Sequence, residues 1–260
     1  MFIIKLGGSV ITDKSKQEFF RQNIMDNLSK EIKKADKDII LVHGAGSFGH
    51  ILAKKYELNE GFKYDKQIEG FSVTHAMVQK LNVLVLSSLH NHRVPAVSIA
   101  PHSILRLDDH ILDVINYKIF KEYLDKSFTP VTFGDVVLDK KLGFSICSGD
   151  LLVKVLAEYF KPEKIIFVLD EDGLYTSNPK IDKNAEFIDS TTADKLKKLI
   201  TSLDKHADVT QGMKGKIDTI SEIAKLNIDT ILLNGNKHER LYKALIGENI
   251  KGTIVHRDKR

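Results

Sequence analysis

Tryptophan is absent from these 260 residues, cysteine occurs once and proline five times. The lone Cys147 leaves no internal disulfide to form, so the fold must stand on its core, and a reducing cytoplasmic setting is expected. No apolar run approaches the roughly 18–20 residues that cross a bilayer. The apolar pattern begins at Phe2 without the basic segment and cleavage site of a secretory leader, so no membrane partner is expected. Charge of one sign is also missing. Lysine plus arginine number 39 against 35 acidic residues, a net of +4, and the lysines are spread along the chain. A nucleic-acid partner is therefore not expected, because such surfaces gather charge into a stripe. Internal repeats, low-complexity linkers, a GxxxxGK[ST] loop and a GxGxxG loop are all lacking. What remains is an ordinary globular composition, 42% hydrophobic and 28% charged, long enough for one large α/β domain or two lobes sharing a sheet.

Apolar periodicity alternates strand and helix almost throughout. Buried strands are expected at Phe2 to Leu6, Asp38 to His43, Pro95 to Ile99, Pro130 to Phe133, Lys164 to Leu169 and Asp229 to Asn234, with an edge strand at Gly252 to His256. Phe20, Ile24, Leu28 and Ile32 recur at four-residue spacing, which predicts a helix over Glu18 to Ala35. Further helices are expected from the loop after His43 through Tyr56, and at Gln67 to His92, Tyr117 to Leu124, Ser148 to Phe160, Thr191 to Ile200, Gly212 to Leu226 and Lys237 to Leu245. Leu105 to Val114 reads as a hairpin or lid, and Val136 to Ile146 as a β-hairpin turning near Gly143. Repeated strand–loop–helix units imply an α/β fold, an open and mainly parallel central sheet with helices on both faces. Ligands of such sheets gather outside the carboxyl ends of the strands. The glycine-rich and polar loops fall there.

Two of those loops suggest phosphate chemistry. In "KLGGSV" the glycines follow a strand directly, and their N–H groups can face an anion, with Lys5 beside them and Lys14 in the next turn. The alternative is a tight strand–helix turn with a surface lysine. "HGAGSFGH" supplies a second such loop ahead of a helix, whose dipole also favours negative charge. His50 is placed in the first turn of that helix, facing the same anion or else capping locally, and His43 is read as structural. "DEDGLYTSNPK" ends a strand in carboxylates; it can bind Mg²⁺ indirectly, hold a ribose, or bring Lys180 to a phosphate. "VTQGMKGK" puts Gly212 at a helix start and Lys216 one turn on. Together these features point to phosphoryl transfer, which needs positioning and charge neutralisation more than a covalent residue. No metal ligand is assigned, and the histidines at His90 and His92 lack a convincing partner set.

The motifs "KLGGSVIT", "HGAGSFGH", "GDVVLD", "SGD", "DEDGLYTSNPK" and "VTQGMKGK" occur in the order seen in the amino-acid kinase superfamily. Within it the chain resembles the archaeal-type isopentenyl phosphate kinases over nearly its whole length, His50 being shared by these and the fosfomycin kinases. The resemblance implies an αβα sandwich formed as one domain, residues 1–147 an acceptor-binding lobe and 148–260 a nucleotide-binding lobe. It implies ATP-dependent phosphorylation of a small isoprenoid monophosphate with Mg²⁺, in a cytoplasmic homodimer. Lys5, Lys14 and His50 would be catalytic. Lys5, Leu6, Gly7, Gly8, Ser9, Gly46, Asp170, Tyr175, Thr176, Ser177, Asn178, Pro179, Lys180, Gly212 and Lys216 would bind ATP. Ala45, His50 and Gly149 would bind the acceptor. The hydrocarbon tail is expected near Ile51, Phe71, Val73 and Met77. Leu169, Glu171 and Gln211 depart from the usual "TDVDG" and "VTGGM" patterns, both on the nucleotide side. A fosfomycin-type phosphonate kinase would share the loops and the histidine. A non-catalytic phosphate sensor would bind ATP and release no ADP.

Overall fold

A computed structural model describes residues 1–13, 15–177, 179, 181–196 and 211–257, with backbone only for 211–214 and 216. Its centre is an eight-stranded sheet. In chain order the strands are β1 (Phe2–Leu6), β2 (Ile39–His43), β3 (Ala96–Ser98), β6 (Thr129–Phe133), β9 (Lys164–Leu169), β12 (Ser190–Thr192), β13 (Asp229–Asn234) and β14 (Gly252–His256). They lie side by side as β12-β14-β13-β9-β1-β2-β6-β3. From β13 to β3 every neighbouring pair is parallel, while β14 runs antiparallel to β13. The expected edge position of Gly252–His256 is therefore corrected: the short polar β12 pairs outside it.

Strand β1 is buried along its whole length because both faces are covered. Phe2, Ile4 and Leu6 pack with Met25, Leu28 and Ile32 of α2 (Gln22–Ala35) and with Leu81, Val85 and Leu89 of α4 (Lys66–Asn91). Leu241, Ala244 and Leu245 of α9 (Arg240–Ile246) complete that layer. Ile3 faces the other way, toward Leu152, Val153 and Leu156 of α7 (Gly149–Phe160) and Ile217, Ile220 and Ile223 of α8 (Gln211–Lys225). Lys5 shares this second face by the two-residue alternation of a strand.

The order reverses around β1. The chain leaves it to form β2 on one side and returns later as β9 on the other, which opens a crevice at the carboxyl ends of β1, β2 and β9. Helix α2 starts at Gln22, later than expected, because Glu18 takes φ +57° and Phe20 makes a bridge with Thr12. Of the helix expected at Thr191 to Ile200, Thr191 and Thr192 belong to β12, residues 193–196 are helical, and the rest lies outside the described residues.

Residues 105–115 form a hairpin, β4 (Leu105–Asp108) and β5 (Ile111–Ile115). It joins the hairpin of β7 (Asp135–Asp139) and β8 (Gly143–Cys147) in a four-stranded sheet ordered β5-β4-β7-β8. Asp139 ties the two turns together. It accepts from the N–H groups of Asp109 and His110 at 2.9 Å, of Lys141 and Leu142 at 3.1 and 3.0 Å, and from the Ser145 hydroxyl at 2.8 Å. Burial opposes its charge, yet these donors outweigh burial and hold the carboxyl well below the usual range. Asp139→Ala leaves the buried Ser145 hydroxyl and four partly buried N–H groups without this acceptor. It is expected to cost about 2–4 kcal/mol in urea unfolding; a loss below about 0.5 kcal/mol would show that water replaces the carboxylate fully.

Candidate active site

A cavity of about 250 Å³ opens at the crevice. Its charged end is built by the strand-end loops. After β1, Gly7 donates to the Val168 carbonyl of β9 at 2.9 Å, and Gly8–Ile11 make the single turn α1. After β2, Gly44 donates to the Leu6 carbonyl at 3.0 Å. The two loops then meet backbone to backbone. A Cβ on Gly8 would lie 2.6 Å from the Gly46 nitrogen, so this contact admits no side chain. Gly46 also takes φ +52°, with Thr12 occupying the space a Cβ would need. Thr12 locks the junction, its hydroxyl donating to the Gly8 carbonyl at 2.6 Å and accepting from Ser47 N–H at 3.0 Å.

Helix α3 (Gly46–Lys55) begins inside the second loop, earlier than expected. His50 therefore stands in the second turn, an exposed residue whose side of the helix lines the cavity with Ala45 and Gly49. His43 does not line it. Its ring is fully buried, stacked on Phe133 at 5.1 Å, with Nε2 3.3 Å from Asn82 Oδ1 and Nδ1 3.1 Å from the Gly44 carbonyl. Burial pulls its pKa down to about 4 against those two oxygens.

Lys5 is 7% exposed and pairs with Asp150 at 3.0 Å. Asp150 is held by the start of α7, where Ser148 caps the helix by accepting from Leu151 N–H at 3.1 Å. A Cβ on Gly149 would sit 3.1 Å from Lys5 Cε, so this glycine lets the helix end approach the lysine. From β9, Asp170 accepts from the Ser9 hydroxyl at 2.9 Å, and Glu171 joins it on the wall. Asp172 turns away. Arg240, Lys251 and Asn234 reach it at 2.6, 2.8 and 3.1 Å, and their donors overcome burial to bring its pKa to about 2.

The opposite end is apolar. Ala53 of α3, Val78 of α4, Val136 of β7, and Ile146 and Cys147 of β8 line it, with Thr74 and the Gly134–Asp135 turn beside them. None of the four residues expected near the hydrocarbon tail lines this wall itself. Ile51 and Val73 are exposed at 43% and 38%, and Phe71 and Met77 pack with Leu52, Phe144 and the wall residues Ala53, Val136 and Ile146 without lining the cavity themselves. On α4, Thr74 and Val78 are the residues turned toward the cavity.

The cavity thus gathers Lys5, Gly7, Gly8, Ser9, Ala45, His50, Gly149 and Asp170. Other expected residues lie elsewhere. Leu6 is buried in the core layer. Gly46 backs the glycine contact. Tyr175 lies in the short strand β10 (Leu174–Tyr175), which pairs with β11 (Phe187–Ile188), and its ring meets Phe187 at 5.4 Å. Thr176 accepts from Glu186 N–H and Ser177 donates to Asp182, so both hydroxyls serve their own loop. These three and Pro179 do not line the cavity. Gly212 and Lys216 fall on the first turns of α8. Lys14, Asn178 and Lys180 lie outside the described residues. Asp150 was not among the expected site residues; its position in the "SGD" motif at the start of α7 was the available signal. Asp135 was missed as well, and burial pushes its carboxyl up to about 7.

The model of the amino acid kinase family matches residues 1–234. The isopentenyl phosphate kinase of Methanothermobacter thermautotrophicus is 35% identical over 98% of both chains, and that of Methanocaldococcus jannaschii 36% over 97% of both. The chain belongs to the amino acid kinase family, on its isopentenyl phosphate kinase branch. A solved isopentenyl phosphate kinase structure superposes with a TM-score of 0.86 at 32% identity, covering 98% of this chain and 99% of the other. This amino acid kinase fold is thus shared along nearly the full chain, including the mainly parallel sheet that carries the crevice.

His43 supplies a pH test. Its folded pKa lies below the ordinary 6.5, so its contribution to stability is complete above about 6.5 and is lost as pH falls toward 4. The difference in unfolding free energy between wild type and His43→Gln should shrink by roughly 3 kcal/mol from pH 7 to pH 4. A difference independent of pH would mean the buried ring protonates as readily as a free one.

Proposed function

We propose that the chain transfers the γ-phosphoryl group of ATP to isopentenyl phosphate, giving isopentenyl diphosphate and ADP. The observation that carries this reading is the two-ended cavity. One end offers Lys5, His50 and glycine-loop N–H groups to phosphate, and the other is a small apolar wall suited to a short branched hydrocarbon. An oxygen of the acceptor phosphate bonds to the γ-phosphorus while the bond from that phosphorus to the β,γ-bridging oxygen breaks, and ADP leaves with the electron pair. The attacking oxygen is already anionic, so no general base is required. The obstacle is repulsion between two phosphates, and the site answers it with fixed positive charge and dipoles.

In this reading Lys5 bridges toward the transferred group, poised by Asp150, and Lys14 supplies further positive charge. Gly7, Gly8 and Ser9 hold the donor phosphates. Ala45 and Gly46 present backbone toward the junction of the two substrates, His50 binds the acceptor phosphate, and Gly149 touches the acceptor. The carboxyl-terminal lobe, with Tyr175 to Lys180, Gly212 and Lys216, holds the nucleotide. Mg²⁺ takes hard oxygen donors, and Asp170 and Glu171 bring carboxylates to one wall of the cavity, so the donor set fits and these two would hold the ion. When bound, it neutralises charge on the nucleotide phosphates.

His50→Ala should lower kcat/KM for isopentenyl phosphate about 10- to 150-fold, the worth of one charge-assisted hydrogen bond, with the KM for ATP nearly unchanged. Wild-type kinetics in this variant would remove His50 from the acceptor site. Lys5→Ala should cut kcat about 10²–10³-fold with little change in the KM for ATP; matched losses in both would make Lys5 a ground-state anchor. A coupled ADP-release assay across isopentenyl phosphate, dimethylallyl phosphate, fosfomycin, uridylate and acetylglutamate tests the acceptor itself. Isopentenyl phosphate should give the highest kcat/KM. Preference for fosfomycin would make the chain a phosphonate kinase, and ATP binding without ADP release for any acceptor would make it a sensor.

A further inference from the structure

Behind the turn that lines the acceptor cavity, three side chains from separate elements converge. His75 comes from α4, His102 from the one-turn helix α5 (Pro101–Ile104), and Asp135 from the start of β7. The Asp135 side chain has no exposed surface. Its Oδ1 accepts from Val136 N–H at 2.8 Å. Its Oδ2 faces both rings, 2.9 Å from His75 Nδ1 and 3.8 Å from His102 Nδ1. The rings themselves meet edge to face at 4.3 Å. Among the described residues, these imidazoles are the ion-pair partners of Asp135.

We propose that His75, His102 and Asp135 form a binding site for a divalent transition metal of the zinc class, a site distinct from the Mg²⁺ of phosphoryl transfer. Two imidazole nitrogens and one carboxylate oxygen are the donors such ions select, whereas Mg²⁺ prefers oxygen alone. Their donor atoms all lie within 4.8 Å of one another. Metal–ligand bonds of about 2.0–2.2 Å in a tetrahedron put neighbouring donors about 3.4 Å apart. The 2.9 and 3.8 Å from Asp135 Oδ2 to the two rings lie either side of that spacing, and binding would draw the three donors together within their 4.8 Å span. His102 also has a polar contact on its outer nitrogen. While its Nδ1 faces the centre, its Nε2 lies 2.9 Å from the Ser103 hydroxyl. Access is available from solvent, because the His75 and His102 side chains are 24% and 36% exposed while the carboxylate sits behind them. The fourth position is left to water.

The ion would staple α5 to α4 and β7, two of the elements that line the apolar end of the cavity. It would fix the Gly134–Asp135 turn without contacting the reacting phosphates. This assignment is independent of the proposed acceptor and survives its failure.

The test uses the full chain stripped with EDTA and titrated with Zn²⁺ in excess Mg²⁺, which occupies oxygen-only sites. Calorimetry should report one tight equivalent, and the melting temperature should rise with Zn²⁺. Co²⁺ in place of Zn²⁺ should give the visible d–d absorption of a nitrogen–oxygen site. Loss of an outer-shell partner costs metal affinity about 10–100-fold, so His75→Gln and His102→Gln should each weaken Zn²⁺ binding at least about tenfold and abolish the cobalt spectrum. Melting in EDTA reports whether each variant folds; should His75→Gln unfold, the more exposed His102→Gln still decides. Failure of the wild-type chain to bind one equivalent, or unchanged affinity and spectrum in a folded His102→Gln, would overturn the site.

Discussion

The site depends on a contact that contains no side chain. Gly8 and Gly46 meet backbone to backbone, which brings the loop after β1 against the loop after β2 on the wall of the cavity. Close approach, more than flexibility, explains this concentration of glycine. Any Cβ at Gly8 would separate the loops, and with them the helix starts that follow. Thr12 adds the hydrogen bonds that keep the junction closed. That closure narrows the charged end of the crevice at the sheet's switch point.

Around the junction the charges are held rather than scattered. Lys5 occupies a nearly buried strand end, a costly place for a cation unless an anion is near. Asp150 supplies one, and it arrives on a capped helix start that a glycine lets come close. Asp170 is tethered by Ser9 in the same way. Asp172 looks equivalent in sequence, yet it is consumed by Arg240, Lys251 and Asn234. Neighbouring carboxylates thus serve different ends, one lining the cavity and the other binding the sheet's outer elements together.

The apolar end is walled by the four-stranded sheet, whose two hairpins are joined through Asp139. Val136 and Ile146, paired directly across β7 and β8, both reach the cavity. Thr74 and Val78 do so because the packing of α4 against α3 and the central sheet turns that stripe inward. A rotation of α4 by one residue would present Val73 or Met77 instead, and hydrophobicity alone does not distinguish these stripes.

The sequence by itself determined the strands, the periodic helices and the two glycine loops, because each is written in neighbouring residues: apolar runs, four-residue spacing, and glycine directly after a strand. Lys5, His50 and Asp170 were legible because they sit beside those signals. The local signal misled where long-range pairing intervened. Phe20 fits a helical stripe but bridges to Thr12, and the apolar strand Gly252–His256 reads as an edge until the polar Ser190–Thr192 pairs outside it. Only the tertiary structure decided which helix face lines the cavity, that Asp150 partners Lys5, and that His75, His102 and Asp135 share one point in space. Those relations join residues far apart in the chain, and what fixes them is the packing of whole elements, which no short stretch of sequence encodes.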